Sequence, residues 1–254
     1  MSRTVVWFSA GAASAVAAKL ILATTNGWEE VIELVCTDPG SEHIDNLRFI
    51  KDCEAWFGSK VNMLRSDTYV DTWQVWSETR FLVSAQGARC TAELKKKVRY
   101  AFERPDDIQV FGYTAEEGKR ADRFRQQNPG VILRTPLIEY GLTKEDCLAM
   151  VQNAGIELPA MYKLGYTNNN CIGCVKGGIG YWNKIRRDFP EVFWRMARLE
   201  REIGHCILRD EYPGPGRRKR QLWLDELDPE RGNHADEPSI DCSILCELAE
   251  QVFS

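Results

Sequence analysis

The 254-residue chain lacks any run of about 18 apolar residues, the length that a membrane-crossing helix needs. It carries no large charge of one sign. A net charge of −4 and a pI near 5.6 exclude the general attraction to nucleic acid shown by histone-like proteins. Histidine is scarce: the three, at 43, 205 and 234, have neither metal-ligand nor triad spacing. Neither Gly-x-Gly-x-x-Gly nor a Walker A sequence is present, so dinucleotide-fold and P-loop readings fail. The opening residues enter a strand-like run without the apolar core and cleavage site of a signal peptide, which sets the expectation of a cytoplasmic protein. With 44% hydrophobic and 28% charged residues, the composition is that of a globular chain with a sizeable core.

Cysteine, by contrast, is plentiful. Nine are present, and in a reducing compartment a chain this long has no need of disulfides. Cys36 lies in an apolar run, and Cys53 and Cys147 in helix-like stretches; these three are expected to be small buried hydrophobes. Cys90, Cys171, Cys174, Cys206, Cys242 and Cys246 occupy loop-like or terminal contexts and call for a chemical reading.

Strand-like segments at 4–8, 31–36, 61–64, 108–112 and 131–133 alternate with helix-like ones. Strands apolar along their whole length, separated by helices, imply an α/β fold: a doubly wound, five-stranded parallel sheet covered on both faces. One helix is expected from about Ile44 to Phe57, with Ile44, Leu47, Ile50 and Ala55 on its apolar face. The nucleotide-binding α/β core is placed at 1–140. The remainder, 141–254, is read as a helical, Cys-rich C-terminal region: a helix capped by Thr143 that ends near Gly155, then helical material from Trp182 to Ile203 interrupted by Pro190. A basic strip, Arg217, Arg218, Lys219 and Arg220, precedes an acidic end; solvated faces and a phosphate contact are both open readings.

In a sheet of this kind ligands sit beyond the carboxyl ends of the strands. Two small-residue turns fall there. The first, Ser9-Ala10-Gly11-Ala12-Ala13-Ser14, joins a strand to a helix and offers backbone N–H groups, a positive helix end and the hydroxyls of Ser9 and Ser14 to an anion. A close-packed turn made of alanine because space is short is the competing explanation. The second is Asp38-Pro39-Gly40-Ser41-Glu42. Farther on, Cys171-Ile172-Gly173-Cys174 puts two sulfurs on one turn, a spacing that suits either a metal centre or dithiol redox chemistry. Cys242 and Cys246 are one helical turn apart. Lys95, Lys96 and Lys97 read as a solvated helix face, and Trp73 and Trp76 stand at helical spacing.

The order of these segments resembles the phosphoadenosine phosphosulfate (PAPS) reductase family, in the adenine nucleotide alpha-hydrolase superfamily. The 9–14 turn resembles that superfamily's pyrophosphate loop, Ser-Gly-Gly-x-Asp-Ser, and 38–42 stands where the family has its Asp-Thr-Gly turn. Arg89-Cys90-Thr91-Ala92-Glu93-Leu94-Lys95 resembles a Cys-Thr-x-x-Leu-Lys segment. Gly112-Tyr113-Thr114-Ala115-Glu116-Glu117-Gly118-Lys119-Arg120 resembles a Gly-x-x-x-x-Glu-x-x-Arg segment. Pro136-Leu137-Ile138, Tyr162-Lys163-Leu164-Gly165-Tyr166 and Cys171/Cys174 follow in the family's order, so the likeness spans roughly residues 4 to 204.

The resemblance implies an adenine nucleotide, ATP or PAPS-like, held by Ser9, Gly11, Ser14, Asp38, Gly40 and Glu42. It implies Lys95 and Arg120 at a sulfate or phosphate, and Cys242 as the reactive thiol. It also implies a [4Fe–4S] cluster, with zinc as the alternative, on Cys90, Cys171 and Cys174, completed from Cys242 and Cys246. Sulfur transfer or sulfonucleotide reduction with a thiol reductant is the expected activity. ATP-dependent sulfur modification of nucleic acid, or a non-catalytic nucleotide-binding module stapled by zinc, are the alternatives. The sequence departs from the family where the loop aspartate should stand: Ala12 and Ala13 offer no ligand for Mg²⁺ between phosphates. The Asp241-Cys242-Ser243 setting also lacks the family's histidine.

Overall fold

The computed structural model describes residues 2–25, 30–84, 87–211 and 219–240. In chain order its strands are β1 (Ser2–Trp7), β2 (Glu30–Thr37), β3 (Val61–Leu64), β4 (Val83–Ser84), β5 (Gly87–Ala88), β6 (Ile108–Val110), β7 (Ile132–Arg134), β8 (Leu208–Glu211) and β9 (Lys219–Leu222). The α-helices are α1 (Ala12–Thr24), α2 (Asn46–Phe57), α3 (Thr72–Thr79), α4 (Arg89–Thr91), α5 (Lys97–Phe102), α6 (Gly118–Gln127), α7 (Pro136–Glu139), α8 (Lys144–Asn153), α9 (Ala160–Lys163), α10 (Ile179–Asp188) and α11 (Pro190–Ile203). No helix among the described residues is long and apolar enough to cross a membrane.

The chain forms two compact units. The first comprises residues 1–38, 43–65 and 97–169, and the second residues 39–42, 66–96 and 170–254. The first is α/β: five strands in the order β3-β2-β1-β6-β7, every neighbouring pair parallel. Alternation along β1 assigns its side chains to opposite faces. Val6 and Phe8 join Leu34, Cys36 and Val110 in a core with Ala15, Val16 and Ile21 of α1, Phe49 and Cys53 of α2, and Val151 of α8. On the other side, Trp7 meets Phe102 of α5 edge-on and donates to Gln109 at 2.6 Å, while Phe111 packs edge-on against Phe124 of α6. Helices therefore flank the sheet, as the uniformly apolar strands predict. Cys36, Cys53 and Cys147 are buried in this core, and burial pushes the thiols of Cys53 and Cys147 up to about 12, out of reach of thiolate chemistry.

Helix α2 begins two residues later than the spacing suggests, and its inward face differs from the expected one. Asn46, Phe49, Ile50, Cys53 and Phe57 point inward, whereas Ile44 precedes the helix and is 75% exposed, and Leu47 is 48% exposed. The series at i, i+4 and i+8 (Phe49, Cys53, Phe57), with a phenylalanine at each end, wins the core because its rings bury more area than Ile44 and Leu47 would. Thr143 caps α8 as its sequence suggests: its hydroxyl accepts from the Asp146 N–H while the Asp146 carboxylate accepts from the Thr143 N–H.

In the second unit Pro190 separates α10 from α11, and the two helices pack around Trp182 and Phe193, both fully buried. Trp73 and Trp76 of α3 form an edge-to-face pair with centroids 5.1 Å apart, and Arg195 stacks on Trp73. These tryptophans belong to the packing of this unit.

Candidate functional site

The central strand β1 is joined through α1 to β2 on one side and, later in the chain, is flanked by β6 on the other. That reversal of strand order makes the carboxyl edge between β1 and β6 the topological switch point of the sheet. The 9–14 bend lies at this edge, and so does Gly112. A Cβ built on Gly112 would stand 2.8 Å from Ser14 Cα and 2.9 Å from Ser14 N, so only glycine lets the chain leaving β6 run against the start of α1. The sequence names Gly112 as the head of a motif; its packing role became apparent only in the structure.

The bend is tightly tied. Ala10 has φ +53, in the left-handed region that glycine favours, at the position where the resembling loop has its first glycine. Ser14 Oγ accepts from the Ser9 N–H at 3.0 Å and donates to the Gly11 carbonyl at 2.9 Å; the two serine hydroxyls lie 3.1 Å apart. Gly11 is the N-cap of α1 and has no side chain to cap it, and no acidic residue occupies the first turn, so the positive end of a 13-residue helix is left for something else. Ser9 is exposed and Ser14 buried.

Two residues not singled out in the sequence complete this end of the sheet. Asn169 donates through Nδ2 to the Ala10 carbonyl at 2.7 Å and to Asn46 Oδ1 at 2.8 Å. The Tyr162 hydroxyl lies 3.3 Å from where a Cβ on Gly11 would be. Burial pushes the Tyr162 phenol up to about 12. The only hints in the sequence were the run of three asparagines at 168–170 and the tyrosine of the 162–166 segment.

The other expected residues of this unit are engaged with neighbours. Asp38, whose N–H extends the β2–β3 pairing to the Leu64 carbonyl, receives the Arg65 guanidinium at 2.5 Å. Arg120 pairs with Glu117 at 2.5 Å and lies over the Tyr113 ring. His43 Nδ1 accepts from the Asp45 N–H.

In the second unit, Gly40 has φ +68, and a Cβ on it would meet the Val70 carbonyl at 2.1 Å. Glu42 pairs with Lys95 at 3.4 Å. Lys95 lies in a π-helix, Ala92–Lys96, in which Glu93, Lys95 and Lys96 are all buried. This corrects the solvated-face reading of the lysine run: only Lys97 is exposed. The wider π turn shifts the register by which charged neighbours would rotate outward, and such turns recur at functional sites.

Cys90, Cys171 and Cys174 are buried in the same unit. The Cys171–Cys174 turn depends on Gly173 at φ +75 and on Tyr181, whose hydroxyl accepts from the Cys174 N–H at 2.9 Å and donates to the Cys171 carbonyl at 3.4 Å. Cys206 is buried, with its thiol donating to the Leu208 carbonyl. Cys242 and Cys246 lie outside the described residues. Among the described residues no three His, Cys, Asp or Glu side chains are grouped to hold a metal ion. Of the basic strip, Arg217 and Arg218 lie outside the described residues, and Arg220 pairs with Asp210 at 3.1 Å.

Comparison with known proteins adds no family: no protein-family model matches the chain, and no curated protein matches its sequence.

Proposed function

We propose that the chain binds an adenine nucleotide, ATP or PAPS-like, with its phosphates at the 9–14 bend, and that it acts in sulfur transfer or sulfonucleotide reduction. The observation that carries the nucleotide half is the contact of Gly112 with the Ser14 backbone beside the uncapped start of α1, at the switch point of a parallel sheet. The sulfur half rests on the order of motifs resembling the PAPS reductase family and on the Cys171–Cys174 turn.

In this reading Ser9 and Gly11 contribute donors to the phosphates while Ser14 holds the bend in shape. Asp38, Gly40 and Glu42 are the candidates for the nucleoside. Lys95 and Arg120 would meet a sulfate or phosphate only by exchanging their carboxylate partners, Glu42 and Glu117, for the ligand. Cys242 is the candidate thiol. Cys90, Cys171 and Cys174 are the candidate ligands of a [4Fe–4S] cluster, or of zinc, to be completed from Cys242 and Cys246.

A second reading, nucleotide binding without turnover, draws on Ala12 and Ala13: the bend has no carboxylate to hold Mg²⁺ between phosphates. Sulfur modification of nucleic acid has less behind it, since Arg220 is already paired.

The test is calorimetric titration of anaerobically purified protein with ADP, ATP and PAPS, together with iron, zinc and sulfide analysis. Saturable one-site binding of a nucleotide supports the proposal. Absence of binding by all three removes it. Binding with neither metal nor thiol-dependent turnover of PAPS leaves the second reading.

A further inference from the structure

The run Lys176-Gly177-Gly178-Ile179-Gly180 follows the Cys171–Cys174 turn and leads into α10. Gly178 is the N-cap of that helix, which has no side-chain cap of its own and no acidic residue in its first turn. A carboxylate from far along the chain takes that place. Glu237 Oε1 accepts the Gly180 N–H at 2.6 Å and Oε2 accepts the Tyr181 N–H at 3.0 Å. The leading N–H groups of a helix lack partners within it, and the positive helix end favours a negative charge. A Cβ on Gly178 would stand 2.5 Å from Glu237 Oε1, and one on Gly180 would stand 2.6 Å from His234 N. Glycine at both positions is therefore what lets this segment lie down on the helix.

The same segment reaches the cysteine turn by two routes. Tyr181, whose N–H holds Glu237, has its ring against His234, with centroids 5.9 Å apart, and its hydroxyl bridges the Cys174 N–H and the Cys171 carbonyl. Asn170, next to Cys171, donates through Nδ2 to the Ile240 carbonyl at 3.0 Å. Of residues 232–240 only His234, Glu237 and Ile240 are half-buried, and the others are exposed. A segment with so little apolar burial is held by its polar ties, and such segments open locally before the fold does. Cys171 and Cys174, by contrast, are 5% and 4% exposed. Thiols so covered react only when their cover moves.

We infer that residues 232–240 form a strap latched by the Glu237 carboxylate, and that release of this latch opens the Cys171–Cys174 pair to a thiol or disulfide partner. Glu237 is a positioning residue. It fixes the backbone of Tyr181, and Tyr181 fixes the turn that carries both sulfurs. This rests on the sulfur half of the reading above, in which the pair takes part in thiol chemistry. It adds the device that keeps the pair closed until a partner is met.

The experiment measures iodoacetamide alkylation of each cysteine by peptide mass spectrometry, on the anaerobically purified full chain, for the wild type, Glu237→Gln and Gly178→Ala. The first variant removes the charge. The second keeps the carboxylate but unseats it, since the added methyl collides with the end of a side chain that can swing away. Cys206, buried in the same unit, reports general loosening there, and Cys53 and Cys147 report it in the first unit. Both variants should speed alkylation of Cys171 and Cys174 by roughly 10- to 100-fold, the range for a lost hydrogen bond to a charged group, with the three control thiols changed by less than about 2-fold. Unchanged rates at Cys171 and Cys174, or an equal rise at all five thiols, overturns the strap. So does a selective rise in only one variant, because both unseat the same carboxylate. Alkylation needs neither nucleotide nor turnover, so the two claims fail separately. If Cys171→Ser and Cys174→Ser leave PAPS turnover unchanged, the sulfur reading is refuted for this pair whatever the strap does.

Discussion

The side-chain amide of Asn169 donates to the carbonyl of Ala10 at 2.7 Å, across 159 positions of sequence. Ala10 is the residue with φ +53, so the bond falls on the strained point of the bend that ends β1. A non-glycine residue in the left-handed region costs roughly 1–2 kcal/mol. The conformation is held by the Asn169 amide on the Ala10 carbonyl and by the Ser9–Ser14 hydrogen bonds around it.

Ala10→Gly is therefore expected to be close to neutral in stability. Relief of that strain offsets the loss of a buried methyl group, about 0.8 kcal/mol, and the added freedom of the unfolded chain, roughly 0.5–1 kcal/mol. The control is Ala18→Gly in the middle of α1, where Ala18 is fully buried and helical; there no strain is relieved, and a loss of about 2 kcal/mol is expected. Urea titration of the two variants makes the comparison. Equal losses would mean that Ala10 is not strained.

Gly112→Ala should damage the site in a different way. The added methyl meets Ser14 backbone atoms at 2.8 and 2.9 Å, and backbone cannot swing aside as a side chain can. A destabilisation of about 1–3 kcal/mol is expected from overpacking. ADP affinity should fall by more than for other variants of equal stability, because the displaced atoms are those of the bend. A variant as stable as the wild type, with unaltered binding, would contradict the close approach.

The architecture was legible in the sequence because the inner strands of the parallel sheet bury the apolar runs Val5–Phe8, Leu34–Cys36 and Val110–Phe111. Thr143 with Asp146, and Pro190, are local signals and mark their helix ends where the structure has them. The inward face of α2 was not legible, since Ile44 and Leu47 are as apolar as the residues that bury. The lysine run failed for a related reason. A triplet of charges reads as a water-facing strip at helical pitch, but the π turn at Ala92–Lys96 changes the pitch and takes Lys95 and Lys96 inside. The 9–14 bend could be located from its small residues and its place after a strand. Its neighbours Tyr162, Asn169 and Asn46 could not, since nothing local at 46 or 162 announces that Tyr162 lies against Gly11 or that Asn46 shares the Asn169 amide with Ala10.

The N-terminal end of the sheet has its own pin. Arg3 of β1 donates to Asp107 through Nε at 2.7 Å, reaches Glu33 at 3.3 Å and the Phe102 carbonyl at 3.1 Å, and stacks on the Phe102 ring. Burial alone would raise the Asp107 carboxyl, but the Arg3 guanidinium and the Arg104 N–H outweigh it and hold the group below its ordinary range. A carboxylate with a depressed native pKa stabilises the fold above its unfolded pKa, and that contribution is lost as pH falls through the native value. Asp107→Asn should thus cost about 2–4 kcal/mol at pH 7, because it leaves the Arg3 charge largely buried and short of its main partner. The difference between wild type and variant should begin to shrink as pH falls below about 4, where the unfolded chain takes up the proton, and should close only below the lower native pKa. A difference independent of pH from 7 to 3 would show that the loss is one of shape and not of charge.

Glu200 of α11 runs the opposite way. It is fully buried, and its two carboxylate oxygens accept the backbone N–H groups of Ile207 at 2.6 Å and Leu224 at 2.9 Å, fastening the helix to the segments that follow it. Burial pushes its pKa up to about 7, against the pull of those two N–H groups. Between the ordinary carboxylate value and about 7 the folded protein holds a proton that the unfolded chain releases. The contribution of Glu200 is therefore greatest at about pH 4.5 and declines as pH rises to about 7, by about 3 kcal/mol in all. Glu200→Gln cannot ionise and removes this slope. Near pH 5 the protonated acid and the amide are alike in charge, so the two proteins should differ only by the cost of turning an amide NH₂ toward one backbone N–H. Toward pH 8 the variant should gain on the wild type, up to the same 3 kcal/mol, less the cost of turning an amide NH₂ toward one backbone N–H. Chemical denaturation at pH 5, 6, 7 and 8 reads the difference directly. A gap that stays constant, or that widens in favour of the wild type as pH rises, would mean that Glu200 is ionised throughout and that its two N–H bonds outweigh the cost of burying the charge.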